Sequence, residues 1–93
     1  MTAKVRPVVV VSRHDSDPPR ALVLYVPLTT QDRHSSYEVP LPRLSFLDRD
    51  SVANVQGLGS LPLVRLERRL GTLPHDVMLL IKQALAFALD MPA

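Results

Sequence analysis

The side chains able to do chemistry in this 93-residue chain are few, and cysteine is not among them. Without Cys there is no thiol nucleophile, no disulfide framework and no Cys-ligated metal. His14, His34 and His75 are scattered, and the HxxE-type and H-x-H spacings that build metal sites are missing, so neither metal nor cofactor is expected. His14 and His34 both fall in polar loops and titrate near neutrality, the property an acid–base pair needs. Nothing in their spacing brings them together, and two solvated loop histidines are the plainer reading. His75 opens a helical segment and reads as structural. Net charge is only +2, but nine of the eleven cations are Arg, with Lys4 and Lys82 the exceptions. The planar arginine fork suits phosphate better than a lysine point charge does. Such a balance is compatible with RNA without demanding it. The densest positive cluster, Arg65, Arg68 and Arg69, reads as a solvated turn balanced by Glu67 rather than as a track for an RNA backbone.

The elements that must position these groups follow from the apolar pattern. Val5 to Ser12 is a continuous β-branched run, read as a strand buried on both faces, with Pro7 at its start or on an unpaired side. Arg13 to Arg20 is a turn-rich polar loop. Ala21 to Leu28 is a second strand, and a hairpin with the first is the simplest pairing. Thr29 to Ser36 is polar loop. Tyr37 to Pro42 is a short strand with edge-type prolines, and residues 42–50 are irregular. Ser51 to Leu66 reads as one or two strands broken at Gly57 and Gly59, followed by a turn that stops at Gly71. Pro74 then opens the one clear helix, with Asp76 complementing its dipole. Val77, Leu80, Ile81, Ala84, Leu85 and Ala88 recur at helical spacing as a core-facing stripe. Met78, Leu79, Phe87 and Leu89 widen it, which implies a second apolar contact such as a dimer partner. With only 4% aromatics the core must be aliphatic, and a chain this short buries only roughly 60–65% of its unfolded surface. No apolar run approaches the roughly 20 residues of a membrane span. Five short strands and a terminal helix predict a mainly β domain, a small bent barrel or half-barrel with the helix against it.

Several segments, in order, resemble the MazF/PemK toxin family. Lys4–Ser12 (KVRPVVVVS) is similar to the family's Arg-Pro plus aliphatic strand, and Val23–Gln31 (VLYVPLTTQ) to its second strand and the loop after it. Tyr37–Pro42 (YEVPLP) corresponds to the following strand. Ser51–Pro74 resembles the stretch that leads through Arg-Leu and Leu-Gly pairs into the C-terminal helix. The ordered set, rather than one motif, carries the resemblance, and it covers nearly the whole chain. It implies a single domain over residues 1–93 with an SH3-like β-barrel and a C-terminal α-helix, assembled as a homodimer in the cytoplasm. It also implies an endoribonuclease that cuts single-stranded RNA and inhibits growth until a cognate antitoxin covers its RNA groove. Relatives usually begin with a strand of the type Gly-Asp-x-Trp-x-Val-Asp, whereas Met1 here falls in the loop beyond it. The domain is therefore expected to be N-terminally shortened, with the natural start upstream or an unpaired strand edge.

Metal-free RNA cleavage uses the ribose 2′-hydroxyl as nucleophile. It needs a group to take that proton, a cation for the crowded phosphate and a donor for the departing 5′-oxygen. By the resemblance, Arg6 matches the family's Arg-Pro arginine and would contact the scissile phosphate. Thr29 matches a family threonine whose hydroxyl can donate to phosphate or leaving group; the plain alternatives are a surface Arg and a turn-capping Thr. Thr30, Gln31, Arg33, Asn54 and Gln56 are expected to bind RNA. Asn54 and Gln56 stand where some relatives carry an Arg or an acidic residue, so the resemblance supplies no carboxylate base. The chain either relies on an Arg/Thr pair or is catalytically weakened. The alternative function is thus a non-catalytic RNA- or antitoxin-binding module on the same fold. A gyrase-poisoning branch of this fold would call for an aromatic or apolar C-terminal tip, and Asp90–Ala93 (DMPA) gives it little support.

Overall fold

The computed structural model describes residues 5–92. Met1–Lys4 and Ala93 lie outside them, as does the expected strand upstream of Met1. Strand β1 (Val8–Val10) pairs antiparallel with β2 (Leu22–Thr29), setting Val8 against Pro27, Val9 against Val26 and Val10 against Tyr25. This is the expected hairpin. Strand β3 (Glu38–Pro40) pairs with β4 (Val52–Asn54), and β4 with the end of β2. The break expected near Gly57 is a 3-10 turn over Val55–Gly57, after which β5 (Gly59–Pro62) returns along the first half of β2. The sheet order is β1-β2-β4-β3, with β5 on β2. Among the described residues no pairing joins the outer strands, so the observed architecture is an open antiparallel sheet plus one helix rather than a closed barrel.

β2 is the hub because one of its edges serves two partners in turn, β5 over Leu22–Tyr25 and β4 over Leu28–Thr29. Pro27 sits in the gap between them. Its missing N–H would point to that edge, where no ladder bond is made, so a proline is tolerated inside a central strand. The turn closing the gap packs on the ring: a Cβ at Gly57 would lie 2.5 Å from Pro27 Cγ, so only glycine fits there without a shift.

The core is aliphatic, as composition requires. Val9, Val26, Val39, Leu41, Leu47, Ala53 and Val55 from the sheet side meet Val77, Ile81 and Ala84 of helix α1 (His75–Ala88), with Val26 and Ile81 fully buried. Two expectations fail. The valine run is not buried on both faces: Val9 is buried but Val10 is 39% exposed, because the helix covers one face only. Leu80 is not in the core stripe but 51% exposed, since the surface α1 lies on is narrower than its apolar arc. The helix ends without glycine. Asp90 takes a left-handed conformation (φ 56°), and Met91 N–H donates to Ala86 O and Asp90 N–H to Phe87 O, a Schellman-type closure. Among the described residues no helix is long and apolar enough to cross a membrane.

Candidate active site

Where β2 hands over to the 30–37 loop and faces the end of β4, the chain forms a cleft of about 450 Å³. That volume lies within the roughly 300–1,000 Å³ usual for ligand sites. Thr29, Gln31, Arg33, Ser35, Tyr37, Glu38, Asn54 and Gln56 line it. Five residues singled out from the sequence thus meet in one place: Thr29, Gln31, Arg33, Asn54 and Gln56. The pairing explains why, since Thr29 opposes Val52 and Glu38 opposes Asn54, bringing the ends of β2, β3 and β4 to one rim. Thr30 is exposed and lies next to the lining residues Thr29 and Gln31 without lining the cleft itself.

Arg6 does not line the cleft either, and is exposed. Its backbone position is nevertheless informative. The β1–β2 register runs past the strand end, with Leu28 N–H donating to Pro7 O at 3.4 Å. One further step sets Arg6 opposite Thr29, at the rim of the cleft.

Two of the polar side chains have structural duties. Thr29 Oγ1 accepts from Gln31 N–H at 3.2 Å, and Asn54 Oδ1 accepts from Gln56 N–H at 3.1 Å, each closing a turn. The turn-capping alternative weighed for Thr29 is what the structure shows, and accepting that bond leaves the hydroxyl proton available for donation. The same logic leaves the Asn54 amide group its N–H donors.

Glu38 was read from the sequence only as part of a short strand. Its carboxylate is the one acidic group of the cleft, and three donors already bond it. Oε2 accepts from Arg33 N–H (3.2 Å), and Oε1 from both Ser35 N–H (3.2 Å) and Ser35 Oγ–H (2.7 Å). The Ser35 hydroxyl first, then the two backbone amides and the Arg33 charge, hold its carboxyl below the usual glutamate range against the opposing cost of burial. The signal was present as Ser35-x-x-Glu38, the spacing of a capping box, used here in a loop before a strand. Tyr37 was missed too. It borders the cleft and tilts against Phe87 of α1, with ring centroids 5.3 Å apart.

His14 and His34 lie in loops off opposite ends of β2 and form no pair. His34 instead folds back on Asp32, with Nδ1 3.4 Å from Oδ2. Arg65, Arg68 and Arg69 are exposed, as expected of a solvated turn; Arg69 bonds the Thr72 hydroxyl, and among the described residues no ion pair reaches Glu67.

A profile of the family described as PemK-like, MazF-like toxin of type II toxin-antitoxin system matches residues 1–89. The fold is similar to that of the Mycobacterium tuberculosis toxin MazF-mt6, at 27% identity and a TM-score of 0.84, over 95% of this chain and 89% of that one. It is similar as well to a mycobacterial endoribonuclease solved in complex with its cognate antitoxin, at 28% identity and a TM-score of 0.82, over 95% of this chain and 84% of the other. Another M. tuberculosis (Mtb) toxin superposes with a TM-score of 0.78 at 28% identity, over 89% and 91% of the two chains. No protein of curated function matches the sequence.

Proposed function

The chain belongs to the PemK-like, MazF-like toxin family of type II toxin–antitoxin systems, and on that premise we propose that it is an endoribonuclease cutting single-stranded RNA without a metal ion. The observation that carries the reading is the cleft, where the Thr29 hydroxyl, three carboxamides and a guanidinium converge at one rim of the sheet. These groups suit a phosphodiester flanked by bases. Arg6 neutralises the crowded phosphate, and the Thr29 hydroxyl donates to a phosphoryl oxygen or to the departing 5′-oxygen. Gln31, Arg33, Asn54 and Gln56 hold neighbouring nucleotides. In the reaction the 2′-oxygen bonds to phosphorus as the P–O5′ bond breaks. The 2′-hydroxyl proton passes to a base and the 5′-oxygen gains one. The products are a 2′,3′-cyclic phosphate, or its opened 3′-phosphate, and a 5′-hydroxyl.

The test is cleavage of a long single-stranded RNA in EDTA with analysis of the new ends. Undiminished cutting with cyclic-phosphate or 3′-phosphate ends is expected. Activity lost on chelation and restored by a divalent cation would overturn the metal-free reading. One observation favours the binding-only alternative: the single carboxylate of the cleft is held ionised by three donors, which makes it a weak base. Tight RNA binding with no product would select it.

The proposal includes a cognate antitoxin, as in the mycobacterial complex, a cytoplasmic site of action, and one domain of SH3-like form. It also includes a homodimer. Leu79, Leu80, Phe87 and Leu89 leave much of α1 apolar and exposed, Phe87 at 56%, a surface that a second copy would bury. Sedimentation should give a dimer at micromolar concentration and a monomer for Leu80→Arg. A stable wild-type monomer would refute it.

A further inference from the structure

The 30–37 loop carries four of the cleft's lining residues, Gln31 and Arg33 among them, yet has no regular structure of its own. What orders it is one carboxylate at the start of β3. We propose that Glu38 is a positioning residue whose carboxylate latches this loop, so that Gln31 and Arg33 stand over the cleft before RNA arrives. The inference rests on the RNA reading above and names the group that pre-organises that site.

Three observations carry it. The carboxylate accepts the amides of Arg33 and Ser35 and the Ser35 hydroxyl, spanning the turn of the loop with both oxygens. The contact is reciprocal, since Glu38 N–H donates to Ser35 O at 3.2 Å and Tyr37 N–H to Ser35 Oγ at 3.3 Å. Third, Glu38 is itself anchored, lying in the β3–β4 ladder opposite Asn54. Loop and ladder therefore share one rigid joint, and the side chains that would grip RNA hang from it. A catalytic base is the competing role. Oε1 already uses both lone pairs, and the surrounding donors favour the ionised form, which makes proton abstraction poor. An unsatisfied carboxylate here would also repel phosphate, and the same donors absorb that charge.

The latch has a readout independent of activity. Amide protons bonded to a carboxylate follow its titration, so the Arg33 and Ser35 amide resonances should move together with one midpoint below the ordinary glutamate range. Because the folded-state value is depressed, the latch is present above that range and lost as pH falls through the lowered value. Glu38→Gln should abolish the shared titration. Its amide group keeps one acceptor oxygen and turns a donor toward the other N–H, so it serves Ser35 or Arg33 but not both.

In RNA cleavage, Glu38→Gln should raise KM about tenfold, the cost of ordering the loop at each encounter. It should leave kcat at saturating RNA within about twofold. In an Arg33→Ala background the same change should raise KM by much less, because the side chain it positions is gone. A role in general folding would instead raise KM equally in both backgrounds and lower the thermal midpoint. Collapse of kcat with KM unchanged would make Glu38 the base, and amides that titrate independently would mean there is no latch. Wild-type protein inert toward RNA would defeat the RNA reading, while the amide titration would still decide the latch.

Discussion

The loops on either side of β2 are built from nearly the same residues and behave as opposites. Residues 13–16 read Arg-His-Asp-Ser, and residues 32–35 read Asp-Arg-His-Ser. The first loop is tied only near its roots, by Ser12 Oγ accepting from Leu24 N–H and by Leu22 N–H donating to Arg20 O. Between them the recorded bond is a local Asx turn, Asp17 N–H to Asp15 Oδ1. The second loop has an Asx turn of the same kind, His34 N–H to Asp32 Oδ1, and is also clasped by Glu38. Composition did not decide which loop would be clasped by a side chain of the sheet. A carboxylate three residues past Ser35, on a strand held in the sheet, did.

The sharpest way to test this asymmetry uses two arginines at opposite ends of β1. The β1–β2 register, continued two residues, puts Arg6 toward the cleft end, while Arg13 starts the loop at the far end. Both are exposed, both flank the same strand, and neither has an ion-pair partner among the described residues. Arg6→Ala should lower the rate of RNA cleavage by roughly 10²-fold, the size expected from removing one electrostatic contact made in the transition state. Arg13→Ala should leave it unchanged. Single-turnover rates and circular dichroism on both variants measure this. Equal losses would mean that RNA reads overall charge and not the cleft, and the two ends of the molecule would lose their distinction.

Much of this arrangement was legible beforehand, and the failures have physical causes. The helix was readable because Pro74, Asp76 and the spacing of Val77, Ile81 and Ala84 agree with one another. The break at Gly57 was readable because glycine permits the close approach to Pro27. Thr29, Gln31, Arg33, Asn54 and Gln56 could be gathered because polar residues at strand ends converge wherever strands pair in register. Leu80 and Val10 were misplaced since periodicity tells which residues can face a core, not how wide the covering surface is. Glu38 escaped because two of its three partners are backbone amides, which no sequence displays, and the third forms a Ser-x-x-Glu spacing that usually marks a helix start rather than a loop before a strand. The resemblance to relatives could not help, as it directed attention to positions 54 and 56, where this chain has Asn and Gln, and not to the start of β3.

The smallest expected effect separates the two loops by backbone conformation alone. His34 sits at φ 57°, in the left-handed region, whereas His14 has no positive φ. For a residue with a Cβ that conformation costs roughly 1–2 kcal/mol, and glycine escapes the cost. Glycine also loosens the unfolded chain, which lowers stability by about 0.4–1 kcal/mol at either site. At His34 the two terms oppose each other, so His34→Gly should be neutral or slightly stabilising. The exposed contact with Asp32 subtracts little. At His14 only the unfavourable term remains, and His14→Gly should destabilise by about 0.5–1 kcal/mol. The difference, on the order of 1 kcal/mol, falls within reach of paired urea titrations with a shared slope. RNA cleavage should be unaffected in both, since neither histidine lines the cleft. If His34→Gly costs as much as His14→Gly, the left-handed residue is not held in place. Glu38 would then be clasping a loop that has other conformations of equal energy, and the contrast between the loops would rest on hydrogen bonds too weak to select one of them.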